Sequence, residues 1–439
     1  MFKQQIIMKK DIVHIVSGCL LIIGMVLFNS CKKDPVIPTL TTVDVTNATV
    51  NSFTTGGNIT SDGRAMITAS GVCYGTISGP TIQSSVTTDG SSGGSFVSKI
   101  TGLTPNTIYY IRAYATNKAG TAYGNEVTAT TSLPALSTLT TTAISSITIN
   151  SAVSGGIITS GGNDSVTVRG VCWAITTGPT TTNNKTADGA GTGNFVSTLT
   201  GLQTGVIYYV RAYATNSAGT AYGNEIVFST NVADVEGNTY KTVLIGTQMW
   251  MAENLKTTKF NDNTAIPIIT DNTLWKNTTG PAYCWYANDG TTNKPIYGAI
   301  YNFYTVATGK LCPTGWHVPS DIEFQTLEVF LGMDPLQANS YEWRGTNQGA
   351  KLKNSTGWAT GMNGTNTSGW SALPGGYRYG LTGVFNNLGT LSYWWSSTKD
   401  PVNAMYRRLD GADSTGVVMN KVYRAGVIYQ GGKYIRCVK

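Results

Sequence analysis

TGLTPNTIYYIRAYATNKAGTAYGNE, Thr101 to Glu126, returns almost unchanged as TGLQTGVIYYVRAYATNSAGTAYGNE, Thr200 to Glu225. Working back toward the N-terminus, GVCYG at Gly71 matches GVCWA at Gly170, and NSFTTGGNIT at Asn51 matches NSAVSGGIIT at Asn150. All three pairs keep one interval with no gap. A gapless repeat of that length is one domain written twice, over 38–132 and 134–231. Inside it, IYYIRAYAT alternates and is rich in aromatic and β-branched side chains, which predicts a strand with one buried face.

The chain has 439 residues, only 12% of them charged, with 51 glycines and a net charge of +7. That length allows about three domains. Sparse charge among many Gly, Thr, Ser and Asn suits β-rich extracellular domains with polar turns better than a helical cytosolic enzyme. The positive charge is spread thinly and forms no basic stripe, so a nucleic-acid partner is not expected.

LTPNTIYYIRAYATNKAG resembles the fibronectin type III family, whose F strand follows an L-x-P-x-T-x-Y pattern. Leu103, Pro105, Thr107 and Tyr109 match it. The second copy keeps Leu202 and Tyr208 but carries Thr204, Gly205 and Val206 where the first has Pro105, Asn106 and Thr107. The resemblance implies two all-β immunoglobulin/fibronectin-like sandwiches, with Tyr109 and Tyr208 as corner tyrosines bonding nearby backbone. No tryptophan falls on the expected B strand, which points to a looser immunoglobulin-like variant. Cys73 and Cys172 are one per copy and have no partner within their own domain. They are read either as an inter-domain or intermolecular disulfide or, preferably, as buried thiols acting as small apolar side chains. Neither copy holds a set of acids, bases or metal ligands. Their expected work is spacing.

From about Asp234 the composition changes, and nine of the ten tryptophans lie beyond that point. YKTVLIG and QMWM predict a hairpin turning at Ile245-Gly246-Thr247. These stretches, with YGAIYNFYTV, LCPTGWHVPSDIEFQTL, GWSALPGGYRYG, YWWSST and the terminal YIRCVK, resemble the Fibrobacter succinogenes major paralogous domain across nearly all of 234–439; the domain is assigned to 232–439. Members of that family sit on bacterial surface and secreted proteins. Its tryptophan-rich pattern is similar to the C-type-lectin-like and sulfatase-modifying factor folds, which implies an α+β domain. In the lectin-like fold the segment before the first helix and the last strand are neighbours. The resemblance therefore implies a disulfide between Cys312 and Cys437, with Cys284 left unpaired and buried.

His317, in LCPTGWHVPSDIEFQTL, is the only histidine beyond residue 14. It stands beside Ser320 and Glu323, which form S-x-x-E, a capping box at a helix start. Asp321 and Glu323 fall in the first turn, where acids favour the helix dipole. Ile322, Leu327, Phe330 and Leu331 are the expected apolar stripe. His317 is thus read as a packed, hydrogen-bonded residue leading into a helix. Catalysis fails on inventory: there is no second histidine for a zinc site, no H-E-x-x-H and no G-x-S-x-G elbow. The late cysteine pair of sulfatase-modifying enzymes is also missing, since only Cys437 is late. No metal or cofactor is expected, and enzyme activity of the sulfatase-modifying kind is the weakest alternative.

What remains is binding. Tyr377, Arg378, Tyr379, Asn386, Asn387, Trp394 and Trp395 combine aromatic faces with amide and guanidinium groups, which suits a sugar ring. They suit a core with polar loops equally, and adjacent Trp394 and Trp395 should face opposite ways in a strand. At the other end, MFKQQIIMKKDIVHIVSGCLLIIGMVLFNSCKKDP opens with a basic segment, continues with a short apolar run and ends LFNSC. Roughly 17 apolar residues make a helix of about 25 Å, short of a ~30 Å hydrocarbon core. This looks like a bacterial lipoprotein signal over 1–30, with Cys31 acylated and 31–37 a linker. An ordinary secretory signal or an uncleaved anchor is the alternative, and Met8 offers a second start. The resulting expectation is an outer-membrane lipoprotein, surface-exposed and membrane-bound through its lipid. It would present an adhesion or binding domain to an extracellular polysaccharide or another surface protein. A structural envelope component without a discrete ligand is the alternative.

Overall fold

The structure is a computed structural model that describes residues 33–399, 401 and 403–439. The signal segment and Cys31 lie outside the described residues. The chain divides into two compact units, the first ending at Ala135 and the second running from Leu136 to Lys439. Among the described residues no helix is long and apolar enough to cross a membrane.

The first unit is a sandwich. Strands β1 (Thr39–Thr46), β2 (Ser52–Ser61), β3 (Ala69–Gly75), β4 (Ser85–Val86), β5 (Gly94–Thr101), β6 (Ile108–Asn117), β7 (Gly120–Tyr123) and β8 (Val127–Thr130) form two antiparallel sheets. One has the order β1-β2-β5; the other runs β4-β3-β6-β7, with β8 also paired to β6. Alternate side chains of both sheets meet in a core of Phe53, Val72, Ile100, Tyr109 and Ile111. The Tyr109 hydroxyl accepts the Thr104 N–H at 3.0 Å, which is the corner bond the sequence implies. Cys73 is buried and unpaired. Its thiol donates to backbone carbonyls of Pro80 and Arg112, both at 3.2 Å.

The second repeat builds the same sandwich from β9 (Thr138–Thr141), β10 (Ala152–Ser160), β11 (Val168–Ala174), β12 (Asn184–Lys185), β13 (Gly193–Leu199), β14 (Ile207–Asn216), β15 (Gly219–Tyr222) and β16 (Ile226–Ser229). Its sheets are β13-β10-β9 and β12-β11-β14-β15, with β16 on β14. The Tyr208 hydroxyl accepts the Gln203 N–H at 2.9 Å. Trp173 lies on the third strand and joins the core. Cys172 is buried and unpaired, and burial pushes its thiol up to about 11.

The departure at Gly205 has a physical reason. Gly205 sits at φ +60 with the Trp316 indole against it, so that a Cβ would lie 3.0 Å from the ring. Asn106, its counterpart, also has positive φ, where asparagine is tolerated. At Gly205 a Cβ would crowd the indole, which would have to give way by a few tenths of an ångström. Lys439 Nζ donates to the Gly205 carbonyl at 2.9 Å, and Thr242 Oγ1 donates to Ser229 Oγ at 2.6 Å. Ile207 packs against the core of the domain that follows. The second sandwich and the C-terminal domain are therefore one body rather than two beads.

That C-terminal domain is α+β. Short antiparallel pairs come first: β17 (Val232–Ala233) with β18 (Thr239–Tyr240), β19 (Thr242–Ile245) with β20 (Gln248–Met251), and β21 (Tyr283–Cys284) with β22 (Ile300–Tyr301). The β19–β20 hairpin turns at Gly246, φ +62, as the sequence predicts. There follow β23 (Glu342–Arg344), the hairpin of β24 (Tyr377–Arg378) and β25 (Phe385–Asn386), then β26 (Leu391–Lys399), β27 (Asn403–Asp410) and β28 (Val422–Ile428). The main sheet has the order β23-β28-β27-β26.

The Asp321–Phe330 helix packs on this sheet. Its capping box is complete: Ser320 Oγ accepts the Glu323 N–H, and Glu323 Oε2 accepts the Ser320 N–H at 2.7 Å. The expected apolar stripe is wrong in part. Ile322 is 72% and Phe330 62% exposed, whereas Phe324, Leu327 and Leu331 are buried together with the carboxylates of Asp321 and Glu328. Cys312 and Cys437 form a disulfide, with Cα atoms 5.9 Å apart. Cys284 is buried and unpaired, and burial raises its thiol to about 12 against the opposing influence of Arg378.

Candidate functional site

Period-two alternation sends successive residues of β26 to opposite faces of the main sheet. Trp394 joins the core under the helix, and Tyr393 and Trp395 join the other core. Register then lines up one row across four strands on that second face. Trp343 pairs with Tyr423, Tyr423 sits opposite Arg408, and Arg408 opposite Tyr393. Trp395 and Tyr406 form the adjacent row.

The rings make a continuous run. Centroids are 6.4 Å apart for Tyr379–Tyr377, 4.6 Å for Tyr377–Tyr393 and 5.2 Å for Tyr393–Tyr406. They are 6.1 Å apart for Tyr406–Tyr423 and 5.0 Å for Tyr423–Trp343. Arg408 lies over Trp343, Tyr393 and Tyr423 and is ion-paired with Asp410. Beneath the run, Lys433 is buried with Nζ 4.5 Å from the Tyr393 and Tyr406 centroids and 4.6 Å from Trp395. Burial, with the charge of Arg408, pushes its ammonium down to about 7. The rings hold the amine because cation–π attraction replaces part of the lost hydration.

The upper side of the run is open to different degrees. Tyr379 is 39% exposed, and Trp343, Tyr377 and Tyr423 are half-buried. Tyr393 and Tyr406, at 8% and 9% exposure, are buried. The face thus offers the partly exposed rings of Trp343, Tyr377, Tyr379 and Tyr423 beside the Arg408 guanidinium.

The sequence-predicted binding residues divide. Tyr377 and Tyr379 belong to this face. Arg378, Trp394 and Trp395 do not serve it: all three are fully buried. Arg378 spends its donors on the carbonyls of Gly383, Ile269 and Thr270 and on Asn272 Oδ1, and lies against the Trp275 and Phe385 rings. The Trp394 indole donates to Asn254 Oδ1 at 2.8 Å and that of Trp395 to the Tyr301 carbonyl at 2.9 Å. They are core tryptophans whose polar edges are satisfied internally. Asn386 stands opposite Tyr377 in the hairpin, and Asn387 is an exposed turn residue at φ +63. Sequence reading missed Trp343, Tyr406, Arg408 and Tyr423. The available signal was the i, i+2 pattern Tyr393-x-Trp395 and Tyr406-x-Arg408.

His317 is exposed rather than packed, and its Nε2 is 2.7 Å from Glu323 Oε1. Ser320 Oγ donates to the same carboxylate at 2.9 Å. The acid accepts from both, and no bond joins histidine to serine, so no base is placed on the hydroxyl. Among the described residues no group of three or more His, Cys, Asp and Glu side chains is arranged to hold a metal.

Residues 243–439 match the family model of the Fibrobacter succinogenes major domain. No curated protein matches the chain. Among solved structures it is similar to the FN1–FN3 domains of chicken CNTN1, at 13% identity over 45% of this chain and 69% of that one, with a TM-score of 0.21. It is also similar to a two fibronectin type III domain segment from chicken tenascin, at 17% identity over 45% of this chain and 100% of that one, with a TM-score of 0.22.

Proposed function

We propose, from a chain whose residues 243–439 match the Fibrobacter succinogenes major domain, that this is a bacterial surface lipoprotein whose C-terminal domain holds a polysaccharide on its aromatic face. The observation that carries the reading is the row Trp343–Tyr423–Arg408–Tyr393, continued by Tyr377 and Tyr379. A sugar ring presents an apolar C–H face and a rim of hydroxyls. Aromatic faces pack against the first, while Arg408 and the phenols of Tyr377, Tyr379 and Tyr423 bond the second. Aromatic anchors lose little side-chain entropy on binding, which is why such rows suit weak repeated contacts with a long polymer.

The test is binding of the full mature chain to neutral polysaccharides, xylan and laminarin among them. Trp343→Ala and Tyr423→Ala should each weaken binding about tenfold, the size expected of an anchoring ring, while Leu244→Ala, an exposed apolar control, should not. No binding to any neutral polysaccharide, or binding indifferent to Trp343→Ala, would favour an envelope component without a discrete ligand.

The anchor belongs to the same proposal. Cys31 follows a basic segment and a short apolar run, and acyl chains there would tether the two sandwiches and the binding domain to the outer membrane. Intact mass of the native protein should show Cys31 as a lipid-bearing N-terminus. An unmodified cysteine or a retained 1–30 segment refutes the anchor.

A further inference from the structure

We infer that the C-terminal domain has a second, separate site: a cationic pocket that takes the carboxylate of an acidic sugar on Arg436. The pocket has a volume of about 360 Å³ and is lined by Lys241, Lys256, Lys294 and Arg436 against one carboxylate, Glu253. That volume is in the range of sites for one or two sugar rings.

Arg436 is at its floor and is 1% exposed. Its guanidinium lies 4.0 Å over the Trp370 ring. Nε donates to Asn254 Oδ1 and Nη2 to the Ser371 carbonyl, both at 2.9 Å. Nη1 is buried with no partner. The other buried arginines are satisfied. Arg344, Arg407 and Arg424 are paired with carboxylates, and Arg378 is bonded to carbonyls and an amide. Leaving a buried charged donor unmet is costly, so a partner that reaches it from the pocket relieves that cost. Burial also pushes Arg436 down to about 9, with only the field of Glu253 opposing it. An anion at Nη1 would relieve that burden.

The geometry favours a carboxylate on a polar body. In the proposed complex Nη1 supplies the point of attachment, since Nε and Nη2 are each already bonded once within the domain. The lysines add positive charge to the lining: Lys256 is steadied over the Tyr240 ring at 5.2 Å and Lys294 over Trp285 at 5.3 Å. One carboxylate oxygen meets Nη1 and the other an ammonium, while the sugar hydroxyls face Asn354 and Ser371 in the pocket wall. Charge-assisted bonds of this kind are short and about twice as strong as neutral ones.

The experiment titrates the full chain with sodium galacturonate, galactose and sodium sulfate, read by calorimetry and by tryptophan fluorescence, since Trp370 borders Arg436. Galacturonate should bind saturably, galactose should not, and sulfate should bind at least about tenfold more weakly. Arg436→Gln should abolish binding, but it is a core residue and its loss can unfold the domain. The double variant Lys256→Gln/Lys294→Gln keeps the test sound. It should lower galacturonate affinity at least about tenfold with an unchanged thermal midpoint. Equal binding of galacturonate and galactose, sulfate binding as tight as galacturonate, or no effect of the double variant would each overturn the proposal. The site does not depend on the aromatic face. Trp343→Ala should leave galacturonate binding intact, and the lysine double variant should leave neutral polysaccharide binding intact.

Discussion

Cys312→Ala/Cys437→Ala should cost the C-terminal domain about 4–5 kcal/mol, enough to approach unfolding at physiological temperature. The bond spans a separation of 125 residues. In the chain-entropy account a closed loop that long removes close to the maximum from the denatured state. The native side of the balance matters too. Cys437 lies in a final segment threaded through the domain: Met251 N–H donates to the Cys437 carbonyl at 3.0 Å, and Val438 forms bridges with both Trp250 and His317. Releasing the staple loosens the segment that carries Lys433 and Arg436. Urea unfolding followed by tryptophan fluorescence reads the change, because nine of the ten tryptophans are in this domain. The first sandwich has no tryptophan; its transition, read by circular dichroism, should not move. A double variant as stable as the wild type would show the loop already constrained when unfolded.

The sandwiches were legible because the sequence states them twice. The tyrosine corner is a local bond, five residues long in each copy, so its residues predict it. The reason for Gly205 was not legible, since the Trp316 indole that requires it arrives from beyond the next domain boundary. The same limit decides the site. Alternation says that Trp394 and Trp395 point opposite ways, but not that both faces of the sheet are covered at that strand. Their indoles are satisfied by Asn254 and Tyr301, which approach from 140 and 94 residues earlier in the chain. Tyr377 and Tyr379 were found because they are local neighbours. Trp343, Arg408 and Tyr423 come from three strands whose register no single stretch displays. The helix was misread for a related reason. Asp321, Phe324, Leu327, Glu328 and Leu331 share its buried face, but two of the five are acids, and acids read as solvent-facing until their partners are known.

Those partners set the remaining large effect. Asp321→Asn should destabilise the C-terminal domain by about 3–5 kcal/mol at pH 7. Asp321 Oδ1 accepts from Arg407 Nη1 at 2.6 Å, and Oδ2 from Arg424 Nη2 at 2.7 Å. Glu328 accepts from Arg407 Nε at 2.7 Å and from Arg344 Nη2 at 2.5 Å. Three guanidinium groups thus face two carboxylates in a buried layer between helix and sheet. Removing one negative charge leaves three cations against one acid. Burial alone would raise the Asp321 carboxyl, but the hydrogen bond from Arg424 and the charge of Arg407 outweigh it and hold the group well below the usual carboxylate range. A depressed folded pKa means that the unfolded chain binds the proton more readily. The contribution is fully present above the unfolded value of about 3.9 and is lost as pH falls below it toward the folded value. The gap between wild type and Asp321→Asn should therefore hold from pH 7 to about 5 and narrow below about 4, as the unfolded wild type takes up a proton that the folded state still refuses. Replacing the group and both its partners together, Asp321→Leu with Arg407→Met and Arg424→Met, should recover much of the loss, because the desolvation of the charges disappears with them. Urea midpoints at pH 7, 5 and 3 distinguish the cases. An Asp321→Asn midpoint within about 0.5 kcal/mol of wild type at pH 7 would mean that the arginines find other acceptors, and that the helix is held to the sheet by Phe324, Leu327 and Leu331 alone.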